Sequence, residues 1–197
     1  MKSSLECINL NKLACATFAF GALSLGSIQT LALEQRIIGG TNATSGTYPW
    51  VVSLQSKDGQ HFCGASLIDK QWVLTAAHCV EEERAAGMQV VVADYDTNKA
   101  DVGEVKSNVE AIYIHQQYGE DNDIAVLKLS TAVDKTRVTA ASNTFTNALA
   151  ANTPLTVIGW GNTSTTGEEF PEILQQVQVP LFDQASCKAA YGGIGQA

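Results

Sequence analysis

The sequence predicts an all-β protein, built from short antiparallel strands that close into a barrel or pack as a sandwich. Three observations carry this reading. Sustained helical periodicity is absent after Leu33, the apolar residues come in short runs with strand length and β-branched content, and the runs are separated by turn signals. Lys57-Asp58-Gly59, Asp94 to Asn98 and Tyr118-Gly119-Glu120-Asp121 are such turns. That alternation is the pattern of barrels and sandwiches. A hydrophobic share of 45% with 16% charged residues supports a packed core and argues against a disordered chain.

The first segment is set apart from the rest. Lys2 and Lys12 precede an uncharged run from Leu13 to Leu33, rich in Ala, Leu, Phe, Gly and Ser, which passes through the small-residue pattern Thr30-Leu31-Ala32. This reads as a secretory signal peptide over 1–32. The run is also long enough for a membrane anchor, but its Gly and Ser content and the polar Gln29 and Thr30 make it a weak span. Export follows in either case, and a cleaved signal leaves no stable membrane association.

The strand signals then follow in order: Val51 to Leu54, Ala65 to Ile68, Trp72 to Leu74, Gln89 to Val92, Ala111 to Ile114, Ile124 to Leu127, Leu155 to Ile158 and Val177 to Val179. The Ala- and Thr-rich stretch from Val133 to Thr153 reads as a connection, which places one domain over 37–140 and a second over 141–197. Phe182 to Ala190 reads as one or two helical turns with Asp183 as N-cap. No repeat, low-complexity tract or charge block is present. The net charge of −8 and pI near 4.8 exclude the clustered basic surface of a nucleic-acid binder. Ordinary solubility accounts for the acidity, which names no substrate.

Two segments carry chemistry. Thr75-Ala76-Ala77-His78-Cys79 follows a strand signal, with Cys63-Gly64 upstream. A bridge from Cys63 to Cys79 would close a loop of about 15 residues, contribute roughly 3 kcal/mol, and pin the backbone beside His78. A lone histidine beside a cysteine is more often structural than catalytic. Asp121-Asn122-Asp123 changes the balance, because it sets a carboxylate at the start of the apolar strand Ile124 to Leu127, where a buried charge needs a hydrogen-bonding partner. An imidazole is such a partner, and a carboxylate that fixes an imidazole prepares it to take a proton from a nucleophile.

These segments resemble the chymotrypsin and trypsin family of serine proteases. Arg36-Ile37-Ile38-Gly39-Gly40 is similar to the family's activation site, Tyr48-Pro49-Trp50 to the segment after it, and Cys63 to Ile68 to the strand before the catalytic histidine. Thr75 to Cys79 and Asp121 to Leu127 resemble the histidine and aspartate motifs, and Gly159-Trp160-Gly161 the opening of the second barrel. All stand in family order from Arg36 to near the C-terminus. The resemblance implies a trypsin-like double antiparallel β-barrel, the first barrel complete and the second partial. It implies catalytic roles for His78 as general base and then acid and for Asp123 as its orienting carboxylate. It also implies a propeptide over 33–36, activation cleavage between Arg36 and Ile37, and polypeptide substrates or protein inhibitors as partners. No cofactor or metal is called for.

The departures are as informative. The family's Gly-Asp-Ser-Gly-Gly motif occurs nowhere in the 197 residues, and Ser66, Ser130, Ser142, Ser164 and Ser186 lack its glycine-flanked turn. The oxyanion-hole glycine and the floor of the specificity pocket belong to the same region. Cys63, Cys79 and Cys187 remain once Cys7 and Cys15 leave with the signal, and that odd number means that Cys187 is either a free thiol or, the favoured reading, paired with a cysteine beyond the residues given. The expectation is therefore a serine endopeptidase in its intact form, inactive as this chain, with a noncatalytic secreted remnant that binds peptides or a partner protein as the alternative. Lesser signals are His61 and His115, expected to be packed or solvent-facing, and two glycosylation patterns, Asn42-Ala43-Thr44 and Asn162-Thr163-Ser164. Asp94, Asp96, Asp101 and Glu104 fall where some relatives bind calcium, although a solvated acidic hairpin is the more economical expectation.

Overall fold

A computed structural model describes residues 37–119, 122–183 and 186 of the chain. The expected signal peptide, Arg36, Asp121 and Cys187 lie outside the described residues. Among the described residues no helix is long and apolar enough to cross a membrane.

Six strands close into an antiparallel barrel: β2 (Val51–Ser56), β3 (His61–Asp69), β4 (Trp72–Thr75), β5 (Met88–Val92), β6 (Val105–Ile114) and β7 (Ala125–Leu129), after the short β1 (Thr41–Asn42). Around the barrel the order is β2, β3, β4, β7, β6, β5. Alternation decides which side chains point inward. Val52 and Leu54 of β2, Leu67 of β3, Val73 of β4, Val90 and Val92 of β5, and Leu127 and Leu129 of β7 are all buried in one core, with Val80 and Val133 from the loops beside them. The intervening Ser53, Gln55 and Val91 are buried as well, outside that cluster. Register shifts at Leu54/Gln55 and at Val109/Ala111 insert an extra residue, the usual device for bending a strand at a barrel corner.

Seven of the eight expected apolar runs fall inside one strand; the other, Ile124 to Leu127, starts one residue ahead of β7, with Ile124 exposed at the rim. Two strands extend well beyond their runs, β3 back to His61 and β6 back to Val105. Their added segments mix polar and apolar residues, so they lack the continuous apolar character that marks a strand in a single sequence. The expected connection from Val133 to Thr153 contains a short helix, α1 (Asn143–Ala148), which the sequence reading did not anticipate. Ser142 starts it by accepting a hydrogen bond from the Phe145 amide at 3.2 Å. Beyond it, β8 (Pro154–Gly159) and β9 (Gln175–Pro180) form a three-stranded antiparallel sheet with β1 in the order β1, β9, β8. A second apolar cluster of Ala43, Val51, Trp160 and Leu174 includes one residue of β2. Asp183 accepts from the Ser186 amide at 2.9 Å; most of the helical turn expected over Phe182 to Ala190 lies outside the described residues.

Candidate active site

The register of two neighbouring strands brings His78 and Asp123 together. β4 and β7 are antiparallel, with Thr75 opposite Ala125. His78 follows Thr75 and Asp123 precedes Ala125, so both leave the barrel at the same end. Local contacts fix each segment. Thr75 donates its hydroxyl hydrogen bond to the Gly64 carbonyl, and a disulfide of 2.01 Å ties Cys79 to Cys63 on β3. On the other side Asn122 adopts a positive φ of 61°, and the Ile124 amide bonds back to its carbonyl at 2.8 Å. Asparagine tolerates that conformation better than most residues.

The resulting pair has two hydrogen bonds. His78 Nδ1 lies 2.6 Å from Asp123 Oδ2, and the His78 backbone amide donates to Asp123 Oδ1 at 2.8 Å. A carboxylate accepts only, so Nδ1 carries the proton and Nε2 presents its lone pair. Burial works against ionisation of Asp123, and the hydrogen bonds from the His78 ring and the His78 and Ala77 amides outweigh it, holding its carboxyl below the usual range. The expectation of a buried charge needs correction here. The side chains of His78 and Asp123 are 42% and 43% exposed. Asp123 stands before β7, on the rim of the barrel, and its pairing comes from geometry rather than from exclusion of water.

The other candidates separate. His61 is packed: its Nδ1 is 2.8 Å from Ser53 Oγ, its ring is 4.9 Å from that of Trp160, and burial pushes its pKa down to about 4. His115 is exposed and accepts from the Gln117 amide. Ile37 is buried, and its amide donates to the Asn162 carbonyl at 2.8 Å. Asn162 is itself buried, with Nδ2 donating to Gly167 and Oδ1 accepting from the Ser164 and Glu169 amides, so its glycosylation pattern is closed in the folded chain. Asn42 is exposed.

The acidic loop is not a solvated hairpin. Asp94 and Asp96 are buried, and the carboxylates of Asp94, Asp101 and Glu104 each bring an oxygen within 4.8 Å of the others. Those hard donors could hold a hard cation such as calcium. Sequence reasoning also missed a buried polar chain in which Gln55 Nε2 donates to Ser53 Oγ at 3.1 Å and to Asp94 Oδ2 at 3.2 Å. Its signal was present as Ser53 and Gln55 at alternate positions among the apolar Val51, Val52 and Leu54. Burial, followed by the charges of Glu104 and Asp101, pushes the Asp94 pKa up to about 6. A raised carboxyl pKa means that folding is favoured while Asp94 is protonated and weakened as pH rises from its unfolded value of about 4 through about 6. In chelator-treated buffer, Asp94→Asn is expected to raise the melting temperature above pH 6 and to leave it unchanged below about pH 4. A thermal unfolding series across that window tests it; an equal shift at every pH would contradict it.

A closed six-stranded barrel beside a further antiparallel sheet, with little helix, is the architecture of the trypsin-like serine endopeptidases. Sequence comparison agrees. The trypsin family model matches residues 37–196. Serine protease 1 of Canis lupus familiaris is 35% identical over 182 residues, 90% of this chain and 71% of the relative, and human Serine protease 1 is 36% identical over 188 residues, 93% and 72%. Trypsin of Sus scrofa is 34% identical over 163 residues, 81% of this chain and 68% of its own length. The chain belongs to the trypsin family.

Proposed function

We propose that His78 and Asp123 form the acid–base half of a serine endopeptidase site. The observation that supports this best is the 2.6 Å contact between His78 Nδ1 and Asp123 Oδ2, with Nε2 left as the base. In peptide hydrolysis of this kind, Nε2 takes the proton of a serine hydroxyl as its oxygen attacks the scissile carbonyl, and Asp123 stabilises the imidazolium that forms. His78 then gives the proton to the leaving amine, and water repeats the sequence on the acyl-enzyme. The serine must come from a Gly-Asp-Ser-Gly-Gly segment, and the 197 residues contain none. Ser142 and Ser186 serve instead as local partners of Phe145 and Asp183.

The reading includes secretion through removal of 1–32 and cleavage after Arg36, which frees the amine of Ile37. Polypeptides are the substrate class, and protein inhibitors the partners. The test uses two proteins. The 197-residue chain is expected to give no labelling with a phosphonylating probe directed at serine. A chimaera carrying the C-terminal segment of a trypsin relative, with its Gly-Asp-Ser-Gly-Gly, is expected to label at the added serine after activation and to lose labelling in His78→Ala. Labelling of the unextended chain, or a labelled chimaera indifferent to His78→Ala, would overturn the reading.

A further inference from the structure

The disulfide beside the His78–Asp123 pair has a chemical setting of its own. His78 Nε2, the nitrogen that does not face Asp123, lies 3.5 Å from Cys79 Sγ. The sulfurs of Cys63 and Cys79 and a ring nitrogen of His78 all fall within 4.8 Å of one another. Cys79 is 8% exposed, whereas Cys63 is more open. A sulfur next to an imidazole that is itself held by a carboxylate is set to leave as a thiolate, because imidazolium stabilises the negative sulfur.

We propose that the Cys63–Cys79 bond is a reducible site, with thiol reductants as its substrate, Cys79 as the leaving sulfur and His78 as its counter-ion. The thiolate of the reductant attacks Sγ of Cys63, the less buried of the two residues. The S–S bond breaks, its electron pair leaves on Cys79 Sγ, and His78, protonated at Nε2 from solvent, holds that thiolate as an ion pair. Cys63 is left as a mixed disulfide. A second thiolate of the reductant attacks the reductant sulfur of the mixed disulfide and releases the reductant as its disulfide; Cys63 leaves as a thiolate and takes a proton from solvent, so two electrons pass to the protein. Exchange of this kind speeds up as the leaving thiol becomes more acidic. Among the described residues Asp123 bonds the ring and Tyr118 feels the charge of Asp123; both are acids, and the positive charge is assigned to His78.

The consequence is a switch. In the reduced chain the imidazolium lies between a thiolate and a carboxylate and cannot take a proton from a nucleophile. That consequence rests on the reading of His78 as general base; the sulfur chemistry does not.

The test therefore reads thiol chemistry in the full chain and needs no peptidase activity. Glutathione, followed by acid quenching and peptide mapping, is expected to leave the mixed disulfide on Cys63. The rate of reduction is expected to fall about tenfold in His78→Asn. After reduction with dithiothreitol, the ultraviolet absorbance of a thiolate at about pH 6 is expected in the parent chain and absent in His78→Asn. Glutathione on Cys79 would overturn the proposal in the unsubstituted chain, whatever the variant does. A reduction rate or thiolate signal indifferent to His78→Asn would overturn it equally.

Discussion

Asp123→Asn, in a chimaera that supplies the serine segment, is expected to lower kcat by about 10⁴, the magnitude known for this family's triad, with little change in KM. The reason lies in the two hydrogen bonds that Asp123 accepts from His78, one from the ring and one from the amide. An asparagine keeps the shape but can donate through its amide to Nδ1, which moves the ring proton to Nε2. The lone pair that should receive the serine proton is then gone, and the charge that stabilises the imidazolium goes with it. Orientation of the base and stabilisation of the imidazolium act in the transition state, so the loss is expected in kcat. The pH dependence follows from the depressed carboxyl pKa of Asp123. Its contribution to folding is present above the usual value near 4 and is lost as pH falls through the lower folded value, so at neutral pH the parent carries the carboxylate in full. A loss of less than about tenfold, or one expressed mainly in KM, would mean that Asp123 does not orient the base.

The first barrel was legible because β-branched and aliphatic runs survive as short blocks whose inward residues share one core, as Val52, Val73, Val90 and Leu127 do. The ends of β3 and β6 were not legible, since polar residues such as His61, Ser107 and Asn108 interrupt the apolar character there. Ser107 is nonetheless buried, a fact of tertiary packing that no local pattern carries. The pairing was legible and its environment was not. The motifs around His78 and Asp123 singled out two side chains that stand 2.6 Å apart, while the apolar run after Asp123 pointed to a buried carboxylate that the structure leaves 43% exposed. Burial of a residue at a strand end depends on what packs over the rim, and that is not written in the strand. The acidic loop erred in the opposite direction. Asp94 opens a turn rich in acidic and polar residues, yet it hydrogen-bonds Gln55 and is buried. Gln55 is 39 residues away in sequence, a pairing invisible to any local reading.

Leu127→Ala is expected to destabilise the chain by about 3 to 5 kcal/mol, the range for a fully buried leucine whose cavity cannot collapse. Leu127 is 0% exposed and lies on β7, opposite Val73 of β4 and Ile112 of β6. Its neighbours are fixed on both sides by ladder hydrogen bonds, which leaves the surrounding strands little freedom to close the space. For a chain of this size such a loss corresponds to a fall of roughly 10 °C in melting temperature. The preceding residue on the same strand supplies the contrast. Val126 points to the other side and is only half-buried, so Val126→Ala should cost less than about 1.5 kcal/mol. Urea unfolding of the two variants measures the difference directly, provided the slope of the transition is unchanged. The comparison also bears on the site. β4 and β7 hold His78 and Asp123 in register through the pairing of Thr75 with Ala125, so loosening β7 at Leu127 should disturb that pair before the barrel unfolds. In the labelled chimaera Leu127→Ala should therefore slow phosphonylation below its melting transition while Val126→Ala does not. Equal destabilisation by both substitutions would mean that β7 does not present Leu127 to the core. Unfolding without any prior loss of labelling would mean that the rim holds its geometry independently of the strand beneath it.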